Sequence, residues 1–255
     1  MKRSLIFGLI VLLIFAPALG AEAYEKHTFM GIPWEISLEE LAEAVYEASG
    51  IRVEVVSRKM EFMENGMITE VAVSTNDQRI TLLGMPVGLE IEHMIDRDEL
   101  DSIRLFIEEE YTVPKETEGR KIPALVYFGR LAAALEARYG QPTICYVMPY
   151  GDENAEIYKI SGSITDDVLY SFQEFGWKAG EAELCAMFDN VELSFVSDFE
   201  ASESSAMDVE CRLTYLGDAE WVEEIHEMLE DAPEFPAGKS PVDFSRVSGV
   251  EISGF

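Results

Sequence analysis

The sequence predicts an α+β fold, in which an antiparallel sheet carries helices packed on one face. Three segments repeat apolar residues with helical spacing, most of the rest alternates apolar and polar residues, and short polar turns separate the alternating runs. The chain has 255 residues, of which 48% are apolar, enough for a sizeable core. Ala48-Ser49-Gly50 and Arg138-Tyr139-Gly140 both close a predicted helix just before a strand. One continuous sheet and two tandem helix-plus-strands halves are both compatible with this order.

The first residues predict a signal peptide over residues 1–23. Lys2 and Arg3 precede an apolar run at 5–15, Pro17 ends it, and small-residue cleavage sites follow at 18–20 and 21–23. That run is shorter than the roughly 20 apolar residues that a membrane span needs. We therefore expect a secreted protein, periplasmic or extracellular, with no membrane span after cleavage.

The first helix is predicted over residues 38–49. Ser37 and Glu40 form the S-x-x-E pattern of a capping box, and Ile36 with Leu41 forms a hydrophobic staple. Gly50 is placed to end the helix.

Two further helices are predicted over 124–139 and 219–229. Pro123 favours the start of the second helix, which Gly140 and Pro142 end, and Asp218 is the expected N-cap of the third. Strands fill the intervals, and Trp177 is expected just before one of them. The predicted strands are 51–57, 67–74, 79–83, 87–93, 103–107, 143–148, 156–160, 182–188, 191–196 and 207–215.

This order divides the mature chain into three parts. The first half is predicted over 24–115 and the second over 116–231, and residues 232–255, rich in Pro and Gly up to Pro241, form an extended C-terminal tail.

The charge of the chain excludes some partners. It has 19 Lys+Arg and 49 Asp+Glu, a net charge of −30. The phosphates of a nucleic acid and the head groups of an anionic membrane would be repelled by such a surface. We therefore expect a protein or small ligand as the partner.

The three cysteines, Cys145, Cys185 and Cys211, are an odd number in a chain expected to be exported. At most one intramolecular disulfide can form, and Cys185–Cys211 is the first pair to test because both lie in the C-terminal group of strands. Buried thiols acting as small apolar residues are the simpler interpretation. The chain has no C-x-x-C motif.

The sequence provides no catalytic, cofactor-binding or metal-binding assignment. His226-Glu227-Met228-Leu229-Glu230 reads H-E-x-x-E and lacks the second histidine of the zincin motif. The acidic segments 96–101 and 151–156 are typical of solvated turns and lack the pattern of an EF-hand. There is no G-x-S-x-G elbow, and a nucleophilic Cys145 paired with a distant histidine has no local signature. Trp34 is expected to pack against the fold and Trp221 to lie in the core.

Two segments carry a family resemblance. Residues 29–40, read from Phe29 through Gly31, Ile32, Trp34, Ser37 and Glu40, and the later Tyr139-Gly140-Gln141-Pro142 resemble the F-x-G-I-x-W-G-x-S-x-x-E opening and Y-G-x-P ending of small exported bacterial proteins without assigned function. Glu35 stands where that family has Gly. Helices followed by four-stranded antiparallel units also resemble the β-lactamase-inhibitor-like fold. The first resemblance implies an exported bacterial protein, and the second favours a binding role.

Three classes of function follow from these observations. The leading one is a non-catalytic envelope or secreted protein that binds a protein or other ligand. A secreted hydrolase using carboxylates or a metal is the first alternative, and a calcium-binding acidic surface protein is the second. Convergent acids with perturbed pKa values in a deep pocket would favour the enzyme, whereas an open sheet face would favour binding.

Overall fold

The computed structural model describes residues 26–50, 52–59, 68–74, 80–94, 99–106, 113–114, 122–149, 156–179, 181–198, 206–217 and 220–239. Within these residues the fold is α+β, with an antiparallel sheet, as predicted. The predicted signal peptide at 1–23 lies outside them. No helix in the described part of the chain has the length and apolar character needed to cross a membrane.

Four helices are present in the described residues. They are α1 (Leu38–Ser49), α2 (Pro123–Tyr139), α3 (Asp166–Ala179) and α4 (Glu220–Glu230). The strands are β1 (Val53–Lys59), β2 (Ile68–Ser74), β3 (Ile80–Leu82), β4 (Met85–Met94), β5 (Glu99–Phe106), β6 (Val113–Pro114), β7 (Ile144–Pro149), β8 (Tyr158–Lys159), β9 (Ala182–Phe188), β10 (Val191–Asp198) and β11 (Ala206–Leu216).

Helix α1 has the predicted bounds but a different cap. The Ser37 hydroxyl donates to the Glu40 carboxylate at 2.9 Å and makes no hydrogen bond to the backbone of the first turn. The helix ends as predicted at Gly50, which has φ of 73° and donates its N–H to the Tyr46 carbonyl at 2.7 Å.

Helix α3 was not predicted, and Trp177, expected ahead of a strand, lies inside it. Its start is fixed by Thr165, whose hydroxyl accepts a hydrogen bond from the Val168 N–H at 3.3 Å. The carboxylates of Asp166 and Asp167 in the first turn interact favourably with the positive end of the helix dipole and stabilise the helix. Val168, Leu169 and Phe172 form its buried side.

The strands form one continuous sheet. Its order is β1-β2-β4-β5-β11-β10-β9-β7-β8, with β3 on β4 and β6 on β11. The last main strands of the two predicted halves, β5 and β11, pair antiparallel with Leu105 opposite Leu213. In the first half, α1 precedes the neighbouring strands β1, β2, β4 and β5. In the second half, α2 precedes the neighbouring strands β7, β9, β10 and β11, and β8 and α3 lie between β7 and β9 in the chain. The boundaries 24–115 and 116–231 stay a prediction, while the sheet itself runs through both.

The described part of the C-terminal tail packs along the edge of this sheet. The Lys159 N–H donates to the Pro233 carbonyl at 2.9 Å, and the Phe235 N–H donates to the Lys159 carbonyl at 2.8 Å. The Phe235 ring meets the rings of Tyr158 and Phe175 edge-on, at centroid distances of 6.0 and 5.7 Å.

The two faces of the sheet are covered unequally. The main core lies on the face that carries α1, α2 and α3. Helix α4 packs on the opposite face, where Leu229 joins Tyr146, Cys185 and Met187 in a second cluster. The expectation that the helices pack on one face is therefore not confirmed, because α4 lies on the face opposite α1–α3. The physical reason is β9, which is buried at every position and needs cover on both sides.

Candidate functional site

The candidate site lies on the sheet face opposite α1–α3, beside the area that α4 covers. Six ionisable side chains on β4, β5, β11, β10 and β9 form what we call the charged strip: Glu90, Arg104, Arg212, Glu210, Glu192 and Glu183. Strand register places them there. Leu105 and Leu213 belong to the core, so their neighbours Arg104 and Arg212 project from the other face.

The two arginines occupy equivalent positions in the β5–β11 pair. Each precedes one member of the Leu105–Leu213 pair, so a local two-fold axis through that pair relates them. Side chains at such diagonal positions are about 7–8 Å apart, within reach of long side chains. The centre of an acidic protein therefore presents two neighbouring guanidinium groups.

Each arginine has a carboxylate partner. Arg104 Nη1 donates to Glu90 Oε1 at 3.4 Å, and Arg212 donates to the Glu210 carboxylate. The side chain of Arg104 is 34% exposed, and those of Arg212 and Glu210 are each 38% exposed. These groups are thus accessible to another molecule while they remain paired. The hydrogen bond that Arg212 donates to Glu210 is the largest cause that raises the pKa of Arg212.

Glu192 lies close enough to both ion pairs to interact with the charges of Arg104 and Arg212. Burial is the main cause that raises the pKa of Glu192 to about 7, and the charge of Glu183 adds to it. The Ser194 hydroxyl, Arg104 and Arg212 oppose that rise. Glu192 therefore keeps its proton to a higher pH than an exposed glutamate does, and both arginines act on its charge.

A second polar cluster holds the segment 26–36 against the end of the sheet. Asn190 accepts a hydrogen bond from the His27 N–H at 2.8 Å and donates to the carbonyls of His27 and Leu216 at 3.0 and 2.9 Å. The Trp34 indole also donates to the His27 carbonyl, at 3.2 Å. Trp34 packs against the main core, which confirms the packing interpretation of that residue.

The His27 side chain completes this cluster. Its Nε2 lies 3.3 Å from Asp189 Oδ2, and its ring lies 4.1 Å from the Tyr139 ring, centroid to centroid. Burial and then Arg138 lower the pKa of His27, so the imidazole is neutral at pH 7. Together these contacts hold the segment 26–36 against the end of the sheet.

The enzyme-like string predicted from sequence forms no site in the described residues. His226, Glu227 and Glu230 are exposed on α4. Nowhere in the part of the chain that the structure describes do three or more His, Cys, Asp or Glu side chains converge to hold a metal. Residues 96–98 and 151–155 of the acidic turns lie outside the described residues, as does the side chain of Trp221.

All three cysteines are free and buried. Cys185 belongs to the cluster under α4 and Cys211 to the main core, so they lie on opposite faces with β10 between them. The Cys185–Cys211 pair is therefore wrong, because a disulfide needs Cα atoms closer than about 7 Å and side chains that face each other. Burial raises the pKa of Cys145 to about 12, which keeps it a thiol and argues against a nucleophilic role.

Sequence reasoning missed the charged strip. With 49 acids in the chain, no single glutamate stands out. One signal was available in β11, where Glu210 and Arg212 alternate with buried Cys211 and Leu213. Opposite charges two residues apart on a half-buried strand indicate ion pairing on its exposed face.

Comparisons with known proteins give no match: no family model, no curated protein and no solved structure is similar to this chain.

Proposed function

We propose that the protein is an exported, non-catalytic binding protein of a bacterial envelope or secretome, which binds a protein partner through the charged strip. The observation that carries the proposal is the accessibility of paired ionic groups in the middle of a rigid sheet. Arg104 and Arg212 are about one-third exposed on strands whose other face is fully packed. Such a surface is preorganised, so little side-chain entropy would be lost on binding.

The place and lining of a described cavity support binding over catalysis. A described cavity lies on the other side of the sheet, between α2, α3 and β10, and has no room for a water molecule. Its lining is largely apolar, with Leu125, Phe172 and Phe195 among its residues. Glu192, a carboxyl whose pKa burial raises to about 7, lies instead on the strip.

A carboxylate hydrolase is the competing proposal, and one observation favours it. The pKa of Glu192, about 7, is in the range suited to a general acid at neutral pH. If the strip were catalytic, Glu192→Gln would abolish turnover of a glycoside or ester substrate. If it is a binding surface, panels of such substrates give no turnover above the Glu192→Gln background.

The test of the binding proposal is a capture experiment with a matched control. Tagged protein starting at residue 24 is incubated with envelope and culture-fluid extracts at moderate salt. The double variant Arg104→Glu/Arg212→Glu is compared with Arg52→Glu/Lys239→Glu, which changes the charge equally at exposed positions outside the strip. Circular dichroism and melting temperature establish that both variants fold.

We expect one or more species to bind saturably to the wild type and to the control and to be lost from the strip variant. Equal capture by the strip variant would contradict the proposal, as would the lack of any saturable species. N-terminal sequencing of the exported protein tests the localisation, with a start at residue 21 or 24 expected.

A further inference from the structure

We propose that the sheet edge formed by β1 is the interface of a symmetric dimer, in which β1 pairs antiparallel with β1 of a second copy, centred on Val56. This edge is separate from the charged strip, so the inference goes beyond the proposed function and can fail without it. The dimer would join the two main sheets into one continuous sheet about a two-fold axis.

The two edges of the main sheet differ in whether another strand can add to them. At the β8 edge, the Lys159 N–H donates to the Pro233 carbonyl, and the Lys159 carbonyl accepts from the Phe235 N–H. At the other edge, β1 pairs with β2 alone among the described strands. Every second residue of β1 therefore directs its backbone N–H and C=O away from the sheet. Because the β8 edge is closed, edge-to-edge pairing through β1 ends at a dimer.

Strand β1 lacks features that usually keep an edge strand from pairing. Natural proteins protect such edges with bulges, prolines or charges within the strand. The register of β1 with β2 is unbroken over its seven residues, Val53–Lys59, and none of them is proline. Its charged residues are Glu54 near one end and Arg58 and Lys59 at the other, so residues 55–57 in the centre are uncharged.

The order of charges along β1 identifies a second copy as the partner. In an antiparallel pair centred on Val56, Glu54 of each copy lies opposite Arg58 of the other, because both are two residues from the centre. The two-fold axis produces this pair twice, and opposite charges at directly opposed positions stabilise a pair of strands. A parallel pair in the same register would instead place like charges opposite each other.

The charge around β1 also reduces the repulsion between two acidic chains. Residues 52–59 contain three of the 19 Lys+Arg, namely Arg52, Arg58 and Lys59, and one of the 49 Asp+Glu, Glu54. This segment is therefore net positive in a chain of charge −30. Contact through such a segment opposes association less than contact between acidic surfaces would.

An exposed aromatic side chain lies beside the start of β1. Tyr46, in the last turn of α1, is 44% exposed and is one of three large apolar side chains exposed in the described part of the chain. Its ring centroid lies 5.6 Å from the guanidinium carbon of Arg52, the residue just before β1. Tyrosine is enriched in protein interfaces, so this ring supports an interface at the β1 edge.

The test exchanges the charges that the dimer would pair. Glu54→Arg and Arg58→Glu each place like charges at both opposed positions, and the double variant Glu54→Arg/Arg58→Glu restores opposite charges. Glu227→Arg and Lys239→Glu change the net charge by the same amounts at exposed positions outside β1. Sedimentation velocity over a range of concentrations measures the dimer dissociation constant of tag-free protein starting at residue 24. Circular dichroism and melting curves establish that each variant folds.

We expect the wild type to form a dimer and each single β1 variant to dimerise roughly tenfold more weakly or less. The double variant should return to within about threefold of the wild type, and the two single variants mixed together should form a heterodimer. The control variants should dimerise as the wild type does. A wild type that stays monomeric at every concentration would overturn the inference, as would equal losses in the controls or a folded double variant that stays monomeric. A dimer that neither β1 variant weakens would place the interface elsewhere and refute it too.

Discussion

At the scale of single residues, Glu192 is the group whose ionisation the fold controls most directly. It lies on the strip beside two arginines and near Glu183, and burial outweighs the arginines in setting its pKa at about 7. An unfolded chain would ionise the same carboxyl near pH 4.5. The folded state therefore binds more protons than the unfolded state between these two pH values. This group's contribution to stability is complete below pH 4.5 and is lost as pH rises through 7.

Replacing Glu192 by Gln removes this pH dependence. We expect Glu192→Gln to match the wild type near pH 4.5 and to be more stable at pH 8, by on the order of 1–2 kcal/mol after screening at a partly exposed site. Urea unfolding at pH 4.5, 6, 7 and 8 measures the difference. Glu227→Gln, exposed on α4, is the control and should show no such trend. A constant difference at all four pH values would contradict the assignment.

Asn190 is the second residue whose role is specific. It is 1% exposed, and its side chain makes three hydrogen bonds that join the segment at His27 to the end of β11. Removing the side chain leaves one backbone donor and two carbonyls without this partner.

We expect Asn190→Ala to lower the free energy of unfolding by roughly 2–3 kcal/mol. Chemical denaturation measures the loss. Ser161→Ala, which removes an exposed hydrogen bond to Glu234, is the control and should cost less than about 0.5 kcal/mol. Similar losses in the two variants would show that the Asn190 hydrogen bonds stabilise the protein no more than a surface contact does.

At the scale of elements, the packing of α2 on α3 depends on a close approach at Gly129. A Cβ built there would lie 2.5 Å from Leu169 Cδ1, and Leu169 is 2% exposed. Alanine would favour the helical backbone by about 1 kcal/mol, and the clash would oppose this gain.

A double-mutant cycle separates these two effects. We expect Gly129→Ala to destabilise the wild type by about 1 kcal/mol and to stabilise the Leu169→Ala variant, which has space for the new methyl group. Thermal or urea unfolding of the four proteins gives the coupling energy. Additive effects would show that the two helices do not meet at Gly129.

The same elements show how far local sequence rules extend. Helix α1 and strand β9 were predicted with their observed bounds, since Gly50 ends the first and the second is apolar at every position except Glu183. Helix α3 was missed because its aromatic residues and Gly176 weaken the helical signal. The cap at Thr165 and the apolar spacing of Val168, Leu169 and Phe172 were available to find it. The position of α4 depends on β9 being covered on both faces, which only the tertiary fold determines.

The candidate site was beyond sequence reasoning for a related reason. Arg104 and Arg212 are 108 residues apart in the chain, taking 212 minus 104, and become neighbours only through the register of β5 on β11. No local pattern contains that register. The alternation of charged and apolar residues in β11 can be read from the sequence. It identifies the charged face of β11, but it does not show which strand pairs with β11.

At the scale of the whole molecule, the pairing of β5 with β11 decides whether the predicted halves behave as separate units. Their residues form one hydrogen-bonded sheet, and Leu105 and Leu213 share one core with residues from both halves. Two units joined only by a linker would unfold independently. A shared sheet and core instead favour one cooperative transition.

Leu213→Ala, at the pairing of β5 with β11, tests whether the two halves unfold in one cooperative transition. The side chain is 3% exposed, so its loss should cost about 2–5 kcal/mol. Hydrogen exchange followed by mass spectrometry reports separately on β4 in the first half and β9 in the second. We expect both strands to exchange through the same global opening and to lose the same free energy of protection. A loss confined to β9 would show that the halves unfold independently despite the continuous sheet. An equal loss would mean that the strip, which crosses the junction, is held rigid by the stability of the entire molecule.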